Sequence, residues 1–178
     1  MADKILGSKK ATGETFEKAI LVEYHPADKV AVVTLNRPTK MNALTFELFA
    51  DFERAFEGLL NDAEKDVRAI VLTSSGQHFT AGLDLNSASQ ITQLNSASSE
   101  EFDTARVALA MQRLVGPLQR QTSIVEKCRV PVVCAMSGYV IGAGIDISSA
   151  CDIRVCSKDA KFTIREIDIG MCADLGTI

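Results

Sequence analysis

Three carboxylates and two glycine turns are the residues of this sequence best suited to chemistry. Asp146 closes the segment Gly138-Tyr-Val-Ile-Gly-Ala-Gly-Ile-Asp146, Glu166 lies in Arg165-Glu-Ile-Asp-Ile-Gly170, and Asp174 lies in Cys172-Ala-Asp-Leu-Gly176. Glu166 and Asp174 stand among apolar neighbours, where an ionised carboxylate is costly, so raised pKa values and proton transfer are the chemistry to expect. A helix cap, or an ion pair with Arg154 or Arg165, is the plain alternative for both. The glycine turns share a design. Phe79-Thr-Ala-Gly-Leu-Asp-Leu85 follows an apolar run at 69–73, and the 138–146 segment follows another at 130–136. Small residues let a ligand approach the main chain, and the first N–H groups of a helix have no partner within it. Either turn by itself reads first as a tight bend or a packing contact. Converging, the two would supply two donors to one developing oxyanion.

Competing chemistries find little support. With only His25 and His78 in the chain, a multi-histidine zinc site is not expected, and no metal is assigned. The five cysteines, Cys128, Cys134, Cys151, Cys156 and Cys172, are odd in number, lie in apolar stretches and form no CxxC pair. They read as reduced thiols of an intracellular protein, most of them small core residues, with a Cys–His nucleophilic pair left open. Gly142-Ala-Gly144 is not a dinucleotide fingerprint, because Ile147 occupies the place of the third glycine. A formal net charge of −4 argues against nucleic acid as the main partner, though a local basic patch for a small phosphorylated ligand is compatible with it. No apolar run approaches the roughly 20 residues that span a bilayer. Residues 1–18 are polar and poor in arginine, which fits neither a signal peptide nor a strong transit peptide.

The elements that must position these groups alternate between strand and helix. Residues 19–24 and 30–35 are β-rich runs around a Pro/Asp turn and predict a hairpin. Thr45 is placed to cap a helix whose Leu48, Phe49, Phe52, Phe56, Leu59 and Leu60 recur at helical spacing. Residues 69–73 predict a buried strand, the Ser/Asn-rich stretch 88–100 a surface loop, and 101–127 a helix kinked or broken at Pro117. Strand returns at 130–136, a helix is expected over 145–151, and 153–156 and 161–164 predict two short strands. The class is α/β, one domain at 178 residues with 47% hydrophobic content, a mobile leader over 1–18 and a folded core over 19–178.

Together with Leu35-Asn-Arg-Pro-Thr-Lys-Met-Asn-Ala-Leu44, the two glycine turns resemble the crotonase (enoyl-CoA hydratase/isomerase) superfamily, from about Ala19 to the last residue. The resemblance implies a ClpP-like superhelix of ββα units with two roughly perpendicular sheets. It implies that the two oxyanion donors are the backbone N–H groups of Leu83 and Ala143, where the family usually has glycine at the second. Ala81, Gly82, Leu83, Asp84, Leu85, Gly142 and Ala143 would then surround an acyl-CoA thioester. The CoA nucleotide would pack near 36–41 and the 81–85 loop, with Lys40 either meeting a phosphate or simply solvated. The 86–100 loop and the following helix would wall the acyl pocket. CoA arrives as part of the substrate, so no separate cofactor is implied.

The acids distinguish among members. Hydratases of the family use two glutamates twenty residues apart, and here those positions hold Asp146 and Glu166. The trio Asp146, Glu166 and Asp174 is similar to that of the Δ3,5-Δ2,4-dienoyl-CoA isomerases. By that resemblance Asp174 is the base at C2, Glu166 the acid at C6, and Asp146 sets the environment of Glu166. Hydration, Δ3,Δ2-enoyl isomerisation and a non-catalytic binding module on the same fold are the other readings. Family members usually continue into a C-terminal helical region and build trimers or hexamers, in peroxisomes or mitochondria. This chain ends four residues after Asp174, and is read as lacking that region.

Overall fold

The computed structural model describes residues 19–62, 65–87, 89, 103–170, 172–173 and 175–176. Strands β1 (Ile20–His25) and β2 (Val30–Leu35) form the expected antiparallel hairpin. Helix α1 (Phe46–Asn61) starts where Thr45 predicts it: the Thr45 hydroxyl oxygen accepts the Leu48 N–H at 3.2 Å. Its apolar stripe buries Phe49, Phe52 and Phe56 completely, with the Phe52 and Phe56 ring centroids 4.8 Å apart. Each such side chain contributes about 1.5–3 kcal/mol by leaving water, which makes this face the main anchor of the helix.

β3 (Ala69–Ser74) pairs parallel to β2, β4 (Val132–Met136) parallel to β3, and β6 (Ile153–Cys156) parallel to β4. The resulting five-stranded sheet runs β1-β2-β3-β4-β6. Parallel neighbours cannot be joined by a tight turn, so helices α1, α2 (Thr104–Thr122) and α3 (Ala143–Ser149) fall between them. A second sheet pairs β5 (Tyr139–Ile141) with β7 (Lys161–Thr163), again in parallel, and a single bridge adds Thr80 to β5 at Val140.

From β3 onward the chain therefore repeats itself. A strand enters the large sheet, a shorter extended piece enters the small one, and a helical segment follows. β3, β4 and β6 stack in the first sheet, while Thr80, β5 and β7 stack in the second. This is the superhelix of strand–strand–helix units that the sequence resemblance implies. It has a direct consequence for function: 80–84, 140–144 and 163–166 occupy equivalent places in successive turns, where the chain leaves the small sheet.

Several boundaries differ from expectation. α2 ends at Thr122 rather than 127, and Pro117 lies inside it without breaking it. Proline removes the hydrogen bond to the carbonyl of Arg113, a cost of about 3 kcal/mol. Arg113 is exposed, so water can take over that carbonyl, while the turn after Pro117 buries Leu118, Gln121 and Thr122 and pairs Arg120 with Glu53 at 3.0 Å. α3 begins at Ala143 instead of 145, and part of the stretch expected as glycine turn is strand β5. Of the cysteines, Cys134 and Cys151 are buried and Cys128 half-buried, but Cys156 and Cys172 are exposed, so the expectation of mostly core thiols holds for only part of the set. The leader at 1–18 and, apart from Ser89, the stretch at 88–100 lie outside the described residues.

Candidate active site

The two glycine turns meet. Gly82 has φ +87°, and a Cβ added there would stand 2.9 Å from the Ile141 carbonyl oxygen and 3.7 Å from the Gly142 Cα. The Thr80 carbonyl accepts the Ile141 N–H at 3.1 Å, and Thr80 N–H donates to the Tyr139 carbonyl at 3.0 Å. The absence of a side chain at Gly82 is thus what lets one turn lie directly on the next.

Each turn presents one N–H. Leu83 bridges Leu44 in parallel: Leu44 N–H donates to the Gly82 carbonyl and Asp84 N–H donates to the Leu44 carbonyl, both at 2.8 Å. In such a bridge the middle residue directs its own N–H to the opposite edge, away from Leu44. Ala143 is the first residue of α3, where no earlier helical carbonyl is available. Among the described residues neither the Leu83 nor the Ala143 N–H meets an acceptor.

The third turn brings a carboxylate to the same place. The Thr163 carbonyl accepts the Gly142 N–H at 2.9 Å, and three residues later Glu166 opens a 3-10 turn, Glu166–Ile169. Gly142 has φ +54°, and a Cβ there would stand 2.8 Å from Glu166 Oε1. Glu166 therefore rests on the peptide that precedes Ala143. Its Oε2 is buried and accepts no hydrogen bond among the described residues. The ion pairs that would have given it a purely structural role are made otherwise: Arg165 pairs with Asp168 at 2.8 Å, and Arg154 donates to the carbonyls of Ser148, Ser149 and Cys151 at the end of α3. Asp146, 1% exposed, stands in the first turn of α3.

These groups line one cavity of about 520 Å³. Ala81, Gly82, Leu83 and Leu85 come from the first turn, and Ile141, Gly142, Ala143 and Asp146 from the second. Arg165, Glu166, Asp168 and Gly170 come from the third, with Cys172 and Leu175 beyond it. Met111, Val115 and Leu118 of α2 form the apolar wall, as expected of the helix after the 86–100 loop. Asp174 lies outside the described residues. Asp84 does not line the cavity. Its carboxylate turns away, accepting from the Arg37 guanidinium and from Asn86 N–H.

Residues that the spacing of acids and glycines did not single out hold the first turn in place. Asn42, 1% exposed, donates through Nδ2 to the Ser75 and His78 carbonyls, both at 2.8 Å, and accepts the Arg37 N–H at 2.7 Å. The Thr80 hydroxyl donates to the Asn42 carbonyl at 2.7 Å and accepts the Gly82 N–H at 3.1 Å. Ala81 N–H donates to the Met41 carbonyl at 2.9 Å, so the 36–41 loop sits against the turn, with Lys40 exposed. The signal available in sequence was the Asn-Arg-Pro-Thr-Lys-Met-Asn run itself. Among the described residues no cluster of three or more His, Cys, Asp or Glu side chains is arranged to hold a metal ion, and no helix is long and apolar enough to cross a membrane.

Comparison with known proteins agrees with this geometry. The profile of the family described as Enoyl-CoA hydratase/isomerase matches residues 26–178. The Arabidopsis thaliana peroxisomal Delta(3,5)-Delta(2,4)-dienoyl-CoA isomerase is 37% identical over 167 residues, covering 94% of this chain and 58% of that protein. The Mus musculus mitochondrial protein of the same name is 40% identical over 147 residues, covering 82% and 43%. A Thermobifida fusca relative, solved in complex with acetoacetyl-CoA, superposes with a TM-score of 0.70 at 26% identity, covering 89% of this chain and 59% of its own. The chain thus spans about half the length of the curated relatives it matches. On its sequence, its strand–strand–helix repeat and the convergence of its glycine turns, this chain belongs to the enoyl-CoA hydratase/isomerase (crotonase) family.

Proposed function

We propose that this chain carries the catalytic core of an acyl-CoA isomerase that converts a 3,5-dienoyl-CoA to a 2,4-dienoyl-CoA, as a step in fatty-acid β-oxidation. The observation that carries the reading is the stacking of Glu166 on Gly142, beside the two N–H groups of Leu83 and Ala143, in one cavity. The names of the Arabidopsis and mouse relatives support the same substrate class.

In this reading the thioester oxygen lies between the Leu83 and Ala143 N–H groups. A base removes a proton from C2, the electron pair delocalises along the chain as a dienolate, and the negative charge collects on the thioester oxygen. Losing one such donor typically costs roughly 10²–10³ in rate. A proton returns at C6, which leaves double bonds at C2 and C4. C2 and C6 are too far apart for one carboxyl group to serve both, so two acids are needed. Glu166 is assigned the C6 proton, Asp174 the C2 base by family resemblance, and Asp146 the setting of Glu166's surroundings. A trimeric or hexameric assembly and a peroxisomal or mitochondrial location belong to the same proposal.

The test offers a 3,5-dienoyl-CoA and a 2-enoyl-CoA to the purified protein side by side, following the conjugated product by ultraviolet absorbance. Isomerisation with little hydration supports the proposal. Hydration without isomerisation moves the assignment to a hydratase. Silence on both substrates, from a folded sample, favours a binding role.

A further inference from the structure

Thr80, Asn42 and Met41 hold the start of the donor turn, and at Leu83 itself a bridge of two hydrogen bonds joins it to Leu44. One planar group reaches both strands of that bridge. The Arg37 guanidinium donates through Nη1 to the carbonyl of Ala43, the residue before Leu44. It also donates to Oδ2 of Asp84, the residue after Leu83, at 3.3 Å from Nη1 and 3.4 Å from Nη2. Arg37 is itself fixed. Its N–H meets Asn42 Oδ1 at 2.7 Å, and its carbonyl accepts the Lys40 and Asn42 N–H groups at 2.9 Å each.

We propose that the Arg37–Asp84 pair is a positioning element that aims the Leu83 N–H into the cavity, acting on the reaction without touching the substrate. The inference rests on the reading of Leu83 as an oxyanion donor. The pair is mostly shielded, with side chains 24% and 16% exposed. Its bonds to Asp84 are nonetheless longer than the roughly 2.7–2.9 Å of a strong charge-assisted bond. Such contacts add little to stability but restrict rotation of the 83–84 peptide about its bridge. A donor off its line by a fraction of an ångström loses much of its worth, and a displacement of about 1 Å costs on the order of 10²-fold in rate. Lysine at position 37 would keep the charge, but its single ammonium lacks the fork that reaches Ala43 and Asp84 together.

The experiment compares the unmodified chain with Arg37→Lys and Asp84→Asn by steady-state kinetics, thermal melting and titration with acetoacetyl-CoA. The ultraviolet absorbance of bound acetoacetyl-CoA enolate reports the donor pair without any turnover. We expect kcat to fall about 10- to 100-fold with KM and melting temperature nearly unchanged, and the enolate absorbance to fall with kcat. Two variants altered at opposite ends of the pair should share this pattern. Normal enolate absorbance and kcat in both variants would overturn the inference and leave the isomerase reading intact. A loss of kcat that tracks lower melting temperature and higher KM would overturn it in favour of a structural role. No enolate signal from the unmodified chain would remove the donor pair, and with it both conclusions.

Discussion

Two turns each present one N–H to the cavity from successive units of the superhelix, yet they are supported in different ways. The turn at 80–84 is held by polar groups: Asn42, Thr80 and the Arg37–Asp84 pair tie its main chain to the loop after β2. The turn at 140–144 is held by main-chain bonds and by packing: Ile141 N–H donates to the Thr80 carbonyl and Gly142 N–H to the Thr163 carbonyl. Val140, Ala143 and Ile147 are buried, and Glu166 rests on Gly142 from the next unit. Support from a single polar side chain fails when that side chain is removed, whereas main-chain bonds and packing survive most substitutions and yield gradually. Damage to the first turn should therefore appear as a sharp loss of alignment, and damage to the second as a change in how the carboxylate is presented.

The largest effect is expected from Glu166→Gln, which keeps the shape of the group on Gly142 but removes its proton chemistry. Diene isomerisation should fall by about 10²–10⁴-fold with acyl-CoA affinity retained; undiminished turnover would exclude Glu166 from the proton path. Next comes Asn42→Ala. It leaves the Ser75 carbonyl and the Arg37 N–H without their side-chain partner and the His78 carbonyl with Ser74 alone, in a part-buried setting, and should destabilise the fold by about 2–3 kcal/mol. Denaturant unfolding checks this, and a change within about 0.5 kcal/mol would mean that the polar network is not what supports the turn.

The two glycines allow the sharpest comparison. Alanine at either position is strained by its positive φ, by about 1–3 kcal/mol. At Gly82 the new Cβ meets backbone, the Ile141 carbonyl oxygen at 2.9 Å; at Gly142 it meets the end of a side chain, Glu166 Oε1 at 2.8 Å. Gly82→Ala should therefore lose more stability, while Gly142→Ala should lose more activity by displacing Glu166. Equal stability and activity losses from the two would dissolve the distinction between the turns. The smallest effect concerns the thiols. Burial pushes Cys128 up to about 12, so little thiolate forms there at pH 8. Cys156 and Cys172 are exposed and should be alkylated first, leaving Cys128 and the buried Cys134 unmodified until the chain unfolds. Mass spectrometry of a time course would read the order directly.

Much of the fold was legible because its local signals agree with its tertiary roles. The Phe49, Phe52 and Phe56 spacing, the Thr45 cap and the alternating β2 run each name an element and its buried face without reference to anything distant. Helix ends were less legible. Pro117 argues for a break at the local level, and only the docking of Leu118, Gln121 and Thr122 overrides it. The last strands show the reverse case. Ile153, Val155 and Phe162 read as apolar strand residues, yet they are 52%, 55% and 48% exposed among the described residues. Apolar patterning says that a segment will be strand, not what covers it.

By itself the sequence determined the candidates for the reacting groups: two turns with small residues, and acids at 146, 166 and 174. Those are properties of residue type and order, and the family resemblance follows from them. Only the tertiary structure decided that Glu166 sits on Gly142 rather than pairing with Arg154 or Arg165, and that Asp84 faces Arg37 rather than the cavity. The reason is geometric. Residues 82, 142 and 166 become neighbours only because three successive units stack in parallel, and that stacking is fixed by pairing between strands far apart along the chain.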